Sequence, residues 1–359
     1  MSDRILLATK KGFFDVSRSR AGWRVANTAF LGDATSMVLR DPRDGALYVA
    51  QALGHFGVKL QRSTDNGKKW REIPAPAFAT TAKKKDAPSV GYIWALETGG
   101  PEQKGVLWCG TVPGGLFQST DRGDSWTLNK PLWDAPERKE WFGGGMEKPG
   151  INSISVDPRD SRHVTVAVSC GGVYQTHDGG KKWKLTADGM YAEYMPPDRR
   201  NDPRIQDVHR MVQCPAAPDN LWVQHHNGVF HSTDSGRTWQ DVKKIKPSKF
   251  GFAVAVHPKD PGTAWFVPGV KDECRIPVDG KLVVARTRDG ARSFQVLTKG
   301  LPQEHSYDLV YRHCLDVDET GKRLAMGSTT GHLWVSENGG DSWKLVGGNL
   351  PPIACVRFA

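Results

Sequence analysis

Four acidic residues in irregular segments of the chain could supply acid–base chemistry. Hydrolysis of a glycosidic bond needs two carboxyl groups, about 5–5.5 Å apart when the sugar configuration is retained and about 6.5–9.5 Å apart when it is inverted. Glu273 is flanked by Lys271 and Arg275, which favours a role as the acid/base. We take Asp207 as its partner. Two further carboxylates complete the set of candidate catalytic residues: Glu147 and Asp272.

The same irregular segments carry aromatic and basic side chains that suit a polar ligand. Aromatic rings offer flat apolar surfaces to sugars, whereas arginine, lysine and histidine donate hydrogen bonds to ligand oxygens. The candidate platforms are Trp94, Trp141 and Tyr194, and the other candidate ligand-binding residues are His209, Arg210, His225, His226, Lys271, Arg275, Tyr311 and Arg312. We expect a small polar or carbohydrate ligand. The alternative is that each charged residue only caps or solvates its own loop.

Histidines allow a second kind of chemistry, in which a divalent metal ion activates water. The candidate ligands are His209, His225, His226 and His313, joined by Asp207 or Glu273. The chain has no His-x-x-x-His spacing, so loop and core histidines are the competing interpretation. The main expectation is therefore a protein without a cofactor, and one divalent metal ion is the alternative.

An eight-residue phrase, Ser/Thr-x-Asp-x-Gly-x-x-Trp, recurs along the chain and indicates how these segments are positioned. Four close copies begin at residues 63, 119, 176 and 232, and weaker copies begin at residues 287 and 336. Successive copies start 56, 57, 56, 55 and 49 residues apart. A period of this size predicts a repeat architecture.

Each copy, called a repeat turn below, has the residues of a turn between two strands. Alternating apolar runs flank it, as in a β-hairpin. The aspartate can accept backbone N–H bonds that the turn leaves open, and the glycine can adopt a positive φ. The tryptophan packs on the apolar face of the hairpin. These aspartates are therefore predicted to be structural, and the copy at 287–294 differs because its glycine comes one place early.

Two more strand-like runs precede each repeat turn, so each repeat has the four strands of a propeller blade. The N-terminus begins with what look like the second and third strands of a blade, at residues 5–9 and 12–15. The run at 353–358 follows the last repeat turn and would supply the missing first strand. We therefore predict an all-β, seven-bladed propeller, formed as one domain from residues 1–359, whose first blade is closed by the two termini.

The connections of such a blade emerge on two faces, because strand direction alternates. The repeat turns share one face with short, regular turns. The long and irregular segments fall on the other face, and long connections in compact domains are usually functional. All the candidate residues except Trp94 lie in or next to these segments, so we predict the functional site there.

Composition narrows the class of protein. Hydrophobic residues make up 38% of the chain and charged residues 25%, and no apolar run could span a membrane. The net charge is +10 and residues 83–85 form a short basic run, yet most basic residues are spread over turns between blades, so we do not expect nucleic acid as a partner. The start of the chain lacks a secretory signal, and six cysteines occur without a Cys-x-x-Cys spacing. These features predict a cytoplasmic monomer with reduced thiols, bound to no membrane.

The repeat turns resemble those of the Asp-box, or bacterial neuraminidase repeat, superfamily of propellers, and the resemblance covers the chain from about residue 5 to its end. That superfamily includes sialidases, xyloglucan-cleaving glycosidases, sortilin-type receptors and photosystem II assembly factors. Arg275-Ile276-Pro277 matches the letters of the sialidase Arg-Ile-Pro motif, but it lies in blade six rather than near the N-terminus. The resemblance therefore argues against a true sialidase.

Three functions remain open from the sequence. The resemblance implies a sialidase-superfamily, glycosyl-hydrolase-like propeller, which would act on a glycoside or a related small polar molecule. A non-catalytic propeller that binds a ligand or assists assembly is the first alternative. A metal-dependent hydrolase or lyase that uses the histidines is the second.

Overall fold

The structure is a computed structural model that describes residues 1–79 and 88–359. It is nearly all β, and seven four-stranded antiparallel sheets form the blades of a seven-bladed β-propeller, as the sequence predicts. The basic run at 83–85 lies outside the described residues. The chain divides into two compact units: unit 1 contains residues 1–32, 187–201 and 208–359, and unit 2 contains residues 33–186 and 202–207. The assignment of residues 1–359 to one domain stays a prediction.

The strands are numbered along the chain. The first fifteen are β1 (Arg4–Thr9), β2 (Gly12–Ser19), β3 (Gly22–Ala29), β4 (Thr35–Arg40), β5 (Leu47–Ala52), β6 (Val58–Ser63), β7 (Arg71–Ile73), β8 (Tyr92–Thr98), β9 (Leu107–Val112), β10 (Leu116–Ser119), β11 (Thr127–Leu128), β12 (Gly150–Val156), β13 (Val164–Ser169), β14 (Gly172–Thr176) and β15 (Lys184–Leu185).

The remaining strands are β16 (Val208–Gln213), β17 (Leu221–His225), β18 (Gly228–Ser232), β19 (Gln240–Asp241), β20 (Gly251–Val256), β21 (Ala264–Pro268), β22 (Val284–Thr287), β23 (Gln295–Leu297), β24 (Leu315–Val317), β25 (Leu324–Gly327), β26 (Leu333–Ser336), β27 (Lys344–Gly347) and β28 (Ile353–Phe358). In residues 1–79 and 88–359, helical structure is limited to α1 (Lys130–Trp133) and the 3-10 helices Gly54–Phe56, Pro136–Glu140, Pro203–Ile205 and Val278–Gly280.

Unit 1 holds four of the sheets. Their strand orders are β28-β1-β2-β3, β16-β17-β18-β19, β20-β21-β22-β23 and β24-β25-β26-β27. The pairing of β1 with β28 joins the two ends of the described chain, with Ile5 opposite Phe358 and Leu7 opposite Val356. The predicted contribution of the C-terminal run to the first blade is therefore confirmed.

Unit 2 holds the other three sheets, with strand orders β4-β5-β6-β7, β11-β10-β9-β8 and β12-β13-β14-β15. Part of its core is a cluster of large side chains with almost no exposed surface, among them Trp108, Ile151, Val166 and Tyr174. Trp108 lies in β9, whereas the other three lie in β12, β13 and β14, so the cluster packs between two neighbouring sheets of the unit.

The repeat turns have the hydrogen bonds that their residue types predict. In the turn at 232–239, the Oγ of Ser232 donates to the Oδ1 of Asp234 over 2.7 Å and accepts the N–H of Gly236 over 2.9 Å. The N–H groups of Arg237 and Thr238 donate to the same Asp234 oxygen over 3.1 and 3.0 Å. The turns at 63, 176 and 336 repeat the hydroxyl and backbone bonds, so the aspartate or asparagine side chain closes the hairpin.

Two consecutive residues of each repeat turn have a positive φ, which explains the displaced glycine at 287–294. In the turn at 232–239 these residues are Ser235 (64°) and Gly236 (77°). In the turn at 287–294 they are Gly290 (68°) and Ala291 (73°). A glycine relieves backbone strain at either position. In the turn at 287–294 the glycine therefore occupies the first of the two positions, and alanine occupies the second.

The six cysteines are all free thiols, and five of them are buried. None of the helices in the described residues is long and apolar enough to cross a membrane.

Candidate functional site

Six of the predicted ligand-binding residues lie together in unit 1, around two phenylalanines that sequence analysis did not single out. We call this group the aromatic-arginine cluster. Its members are Tyr194, His209, His226, Phe250, Phe252, Arg275, Tyr311 and Arg312.

Phe252 is the centre of the cluster. Its ring stacks on His209 with centroids 4.3 Å apart and an interplanar angle of 13°. Tyr311 contacts it edge to face at 4.9 Å, and Phe250 does so at 5.3 Å. The guanidinium carbons of Arg275 and Arg312 lie 5.5 and 5.1 Å from the ring centroid, within the range of cation–π attraction. One buried ring therefore holds two cations and three aromatic side chains.

Separate segments of unit 1 deliver these side chains. His209 lies in β16, His226 in the turn after β17, and Phe252 in β20. Arg275 belongs to the long connection between β21 and β22, at 269–283, and Tyr311 precedes β24. The connections between β1 and β2 and between β13 and β14 contain only two residues each, so the connection at 269–283 is an enlargement of the short connection found in those blades.

β-Bulges at the start of β16 and β20 help to aim the side chains. The pairing of β16 with β17 shifts register between Val208 and Arg210, at His209. The pairing of β20 with β21 shifts between Gly251 and Val254, around Phe252. A bulge inserts an unpaired residue and redirects its side chain, so the two stacked rings come from irregular strand positions.

His209 is held rigidly. Only 2% of its surface is exposed, and its Nδ1 lies 2.7 Å from the carbonyl oxygen of Gly251. Because a carbonyl can only accept, Nδ1 must carry the proton of this hydrogen bond. His226 lies at 5.4 Å from His209 between ring centroids, and Tyr194 contacts His226 at 4.9 Å. The cluster therefore extends from a buried layer at Phe252 to Tyr194, which is 40% exposed.

Arg275 connects the cluster to an acidic residue. Its Nε and Nη2 donate to Asp272 Oδ1 over 3.0 and 2.5 Å. Burial opposes the charge of Arg275, whereas hydrogen bonds with Tyr311 and Asp272 raise the pKa of its guanidinium above the ordinary value. The side chain is 38% exposed, so a fixed cation faces outward beside the ring of Tyr311.

The candidate carboxylates occupy different surroundings. Glu273 is 76% exposed and lies 3.6 Å from the Nζ of Lys271. Asp207 belongs to unit 2, where it is buried and accepts hydrogen bonds from the Oγ of Ser169 over 2.9 Å and the N–H of Cys170 over 3.3 Å. Glu147 is exposed in unit 2. Asp207 and Glu273 lie in different units, and their partnership stays a prediction.

The predicted tryptophan platforms are both in unit 2 and nearly buried. Trp94 is 8% exposed, lies at a register shift of β8 and contacts Tyr92 edge to face at 6.5 Å. Trp141 is 7% exposed, and its Nε1 donates to the hydroxyl of Tyr174 over 2.9 Å. Each indole thus has a packing role in the unit that contains it.

The remaining candidates lie in unit 1 outside the cluster. Arg210 is half-buried in β16. His225 is fully buried at the end of β17 and contacts Phe230 edge to face at 5.2 Å. His313 is buried, and its carbonyl accepts the N–H of Val356 over 2.8 Å. Of the four histidines in the metal alternative, His209 and His226 are therefore neighbours within the cluster.

Phe250 and Phe252 are the functional candidates that sequence analysis missed. Their spacing of two residues, Phe250-Gly251-Phe252, is typical of one face of a strand. The combination of two aromatic residues around a glycine at the start of a strand was the available signal, because glycine within a strand often marks a bulge.

Comparison with known proteins gives a likeness in fold. No protein-family model matches the chain. A probable oligoxyloglucan-reducing end-specific xyloglucanase of Neosartorya fischeri is 24% identical over 368 residues, which cover 92% of this chain and 42% of that protein. An ancestral GH74 enzyme superimposes with a TM-score of 0.60 at 19% identity, covering 86% of this chain and 38% of that one. YCF48 bound to D1 peptide gives a TM-score of 0.55 at 15% identity, covering 87% of this chain and 82% of that one.

The chain thus spans less than half the length of the xyloglucanase and of the GH74 enzyme. Sequence identities this low indicate a shared fold but do not identify a reaction, because proteins with unrelated functions share propeller folds. The chain is a seven-bladed propeller similar in fold to glycoside hydrolases of the GH74 type and to YCF48.

Proposed function

We propose that this protein is a glycoside-hydrolase-like Asp-box propeller that binds a carbohydrate, or a related small polar ligand, at the aromatic-arginine cluster. The observation that carries the proposal is the single buried ring of Phe252, against which two arginines and two further aromatic residues are fixed.

The cluster has the two layers that a binding site needs. Phe252, His209 and Arg312 are buried and hold the geometry. Tyr194, Tyr311 and Arg275 are partly exposed and offer aromatic edges or faces, phenolic hydroxyls and a guanidinium. Aromatic surface with a few placed donors suits a polar ligand, and the buried layer lowers the entropic cost of ordering the exposed one.

Calorimetric titration with a panel of neutral and acidic oligosaccharides tests this proposal. Tyr311→Ala and Tyr194→Ala should each weaken the binding of the tightest ligand by about tenfold, since a buried aromatic contact contributes on the order of 1 kcal/mol. Tyr307→Ala is the matched control, because Tyr307 is 61% exposed in the same unit and has no place in the cluster. Absence of binding by every oligosaccharide, or equal losses in all three variants, would contradict the proposal.

Hydrolysis of the bound glycoside is the finer proposal, and its support is the sequence similarity to a xyloglucanase over 92% of this chain. Glu273 would act as acid/base and Asp207 as its partner, with Glu147 and Asp272 as further candidates. Release of reducing ends from xyloglucan oligosaccharides is the assay. Glu273→Gln and Asp207→Asn should each lower the rate by about 100-fold or more while the fold persists, and Glu304→Gln, an exposed control, should not.

A propeller that only binds or assembles is the alternative, and its support is the fold shared with YCF48. It predicts ligand binding without turnover and full tolerance of Glu273→Gln and Asp207→Asn.

A metal-dependent hydrolase or lyase is the second alternative, for which the proximity of His209 and His226 is the supporting observation. Its further proposed ligands are His225 and His313. Metal analysis of the purified protein is the test, and less than about a tenth of an equivalent would remove this alternative.

A further inference from the structure

Residues 243–249 of unit 1 form a lysine segment that leads directly into the aromatic-arginine cluster. The segment contains four lysines and no acidic residue: Lys243, Lys244, Lys246 and Lys249. The first three are exposed, and no ion pair joins any of them to an acidic group in the described chain. Lys249 donates to Glu193 over 2.9 Å. Three solvated cations therefore precede Phe250, the first phenylalanine of the cluster, by four to seven residues.

Hydrogen bonds between side chains and backbone groups fix the end of the lysine segment where it continues into Phe250. The Nε2 of Gln224 donates to the carbonyl of Lys249 over 3.0 Å, and the N–H of Phe250 donates to the Oγ of Ser248 over 3.0 Å. The N–H of Gly269, the first residue of the connection that carries Arg275, donates to the carbonyl of Phe250 over 2.9 Å. Lys246 is four residues from Phe250, so their Cα atoms are at most about 14 Å apart.

The acidic residues near Arg275 do not cancel this charge. Asp272 is paired with Arg275, and Glu273 lies beside Lys271. Asp272 and Glu273 thus offset the charges of Arg275 and Lys271, so the positive excess in this part of unit 1 comes from the lysine segment. Three exposed lysines offer a neutral ligand hydrogen bonds but no charge attraction, and a ligand with a single charge would gain attraction at only one point of the lysine segment.

We infer that the ligand of the cluster is an acidic oligosaccharide, which carries carboxylate or sulfate groups on successive sugars. The inference rests on the proposed binding function and specifies its ligand class. The sugar rings lie against Tyr194 and Tyr311, one acidic group meets Arg275, and further acidic groups meet the lysine segment. Exposed ion pairs are weak singly and screened by salt, so the lysines act together and mainly at low ionic strength.

The test compares an oligogalacturonate with its methyl ester of the same length, in which the charges are removed and the sugar rings are kept. The acidic form should bind at least about tenfold more tightly at low salt, and added salt should reduce the difference. Lys243→Gln/Lys244→Gln/Lys246→Gln should weaken the acidic ligand by about tenfold and leave the ester unchanged. The control Lys68→Gln/Lys69→Gln/Lys181→Gln makes the same charge change at exposed positions of repeat turns and should alter neither.

Each contrary result has a definite meaning. Equal affinity for acid and ester, or equal losses in the two triple variants, would overturn the acidic-ligand inference and leave carbohydrate binding intact. No binding of either ligand, together with none by the wider oligosaccharide panel, would overturn both proposals. A single-stranded oligonucleotide that binds as tightly as the oligogalacturonate would show unselective polyanion binding and would also overturn the inference.

Discussion

The repeat turn at 232–239 and the aromatic-arginine cluster both lie in unit 1, and they position polar side chains in opposite ways. In the turn, Asp234 accepts hydrogen bonds from backbone N–H groups no more than four residues away. Burial opposes the charge of Asp234, but these bonds hold its pKa below the ordinary value. In the cluster, the ring of Phe252 meets side chains that are separated from it by tens of residues in the chain, such as His209 and Arg312.

The difference separates scaffold from site. A carboxylate that its own turn satisfies has little capacity left for a ligand. Arg275 and Tyr311, in contrast, contact the ring of Phe252 from other segments and remain partly exposed. Changes in the turns should therefore alter stability alone. Changes in the cluster should alter stability and ligand binding together.

The largest expected effect comes from the centre of the cluster. Phe252→Ala should lower the free energy of unfolding by about 3–5 kcal/mol, because the ring is 1% exposed and its removal leaves a cavity beneath two arginines. Urea-induced unfolding measures the loss. The milder Phe252→Leu variant, used for titration, should lose most of the affinity for the tightest oligosaccharide.

Phe266 provides the matched control for Phe252. It is fully buried in β21, in the same sheet, but packs in a separate hydrophobic cluster with Trp222 and Val254. Phe266→Ala should cost a similar free energy of unfolding, and Phe266→Leu should bind the oligosaccharide as tightly as the natural protein does. Equal losses of affinity in the two leucine variants would show that binding follows stability and has no special relation to the cluster.

The next effect comes from the repeat turn at 232–239. Ser232→Ala should lower the free energy of unfolding by about 1–3 kcal/mol, since it leaves the buried N–H of Gly236 without its acceptor. Thermal unfolding is the measurement, and ligand affinity should stay unchanged. Thr238→Ala removes an exposed hydroxyl that donates to the same aspartate and should cost less than half as much. A marked change in affinity for Ser232→Ala would break the separation of scaffold from site.

The two regions also differ in how far the sequence could predict them. The repeat turns depend on residues within an eight-residue window, so their bonds, their spacing and the seven blades follow from the residue types. The contacts of the cluster depend on the register with which neighbouring strands pair. An alternating pattern places Phe252 in the core, and only the bulge between Gly251 and Val254 directs it toward His209. The sequence could show that Arg275 and Tyr311 lie in long, irregular segments. It could not show that both side chains contact the ring of Phe252.

A smaller effect tests the exchanged glycine at 287–294. Ala291 has a φ of 73°, which costs an alanine about 1–2 kcal/mol, and part of this is offset by the lower entropy of its unfolded chain. Ala291→Gly should therefore raise the free energy of unfolding by about 0.5–1 kcal/mol without changing ligand affinity. Ala21→Gly, an exposed alanine that has no positive φ, should lower it instead. A loss of stability in both variants would mean that the strain at Ala291 is already relieved.

The smallest effect concerns the charge of Asp289 in the same turn. Hydrogen bonds from the side chain and backbone of Ser293 lower the pKa of Asp289 to about 2. A carboxyl with a depressed pKa stabilises the fold above its unfolded value near 3.8, and this contribution is lost as the pH falls through 2. Asp289→Asn should preserve the turn, because Asn338 accepts the equivalent bonds from Ser336 and Ser342 in the turn at 336–343. The melting temperature of the variant should lie slightly below that of the natural protein at pH 5, and the gap should close toward pH 2. A gap that stays constant over this range would show that Asp289 acts through shape alone, as Asn338 does.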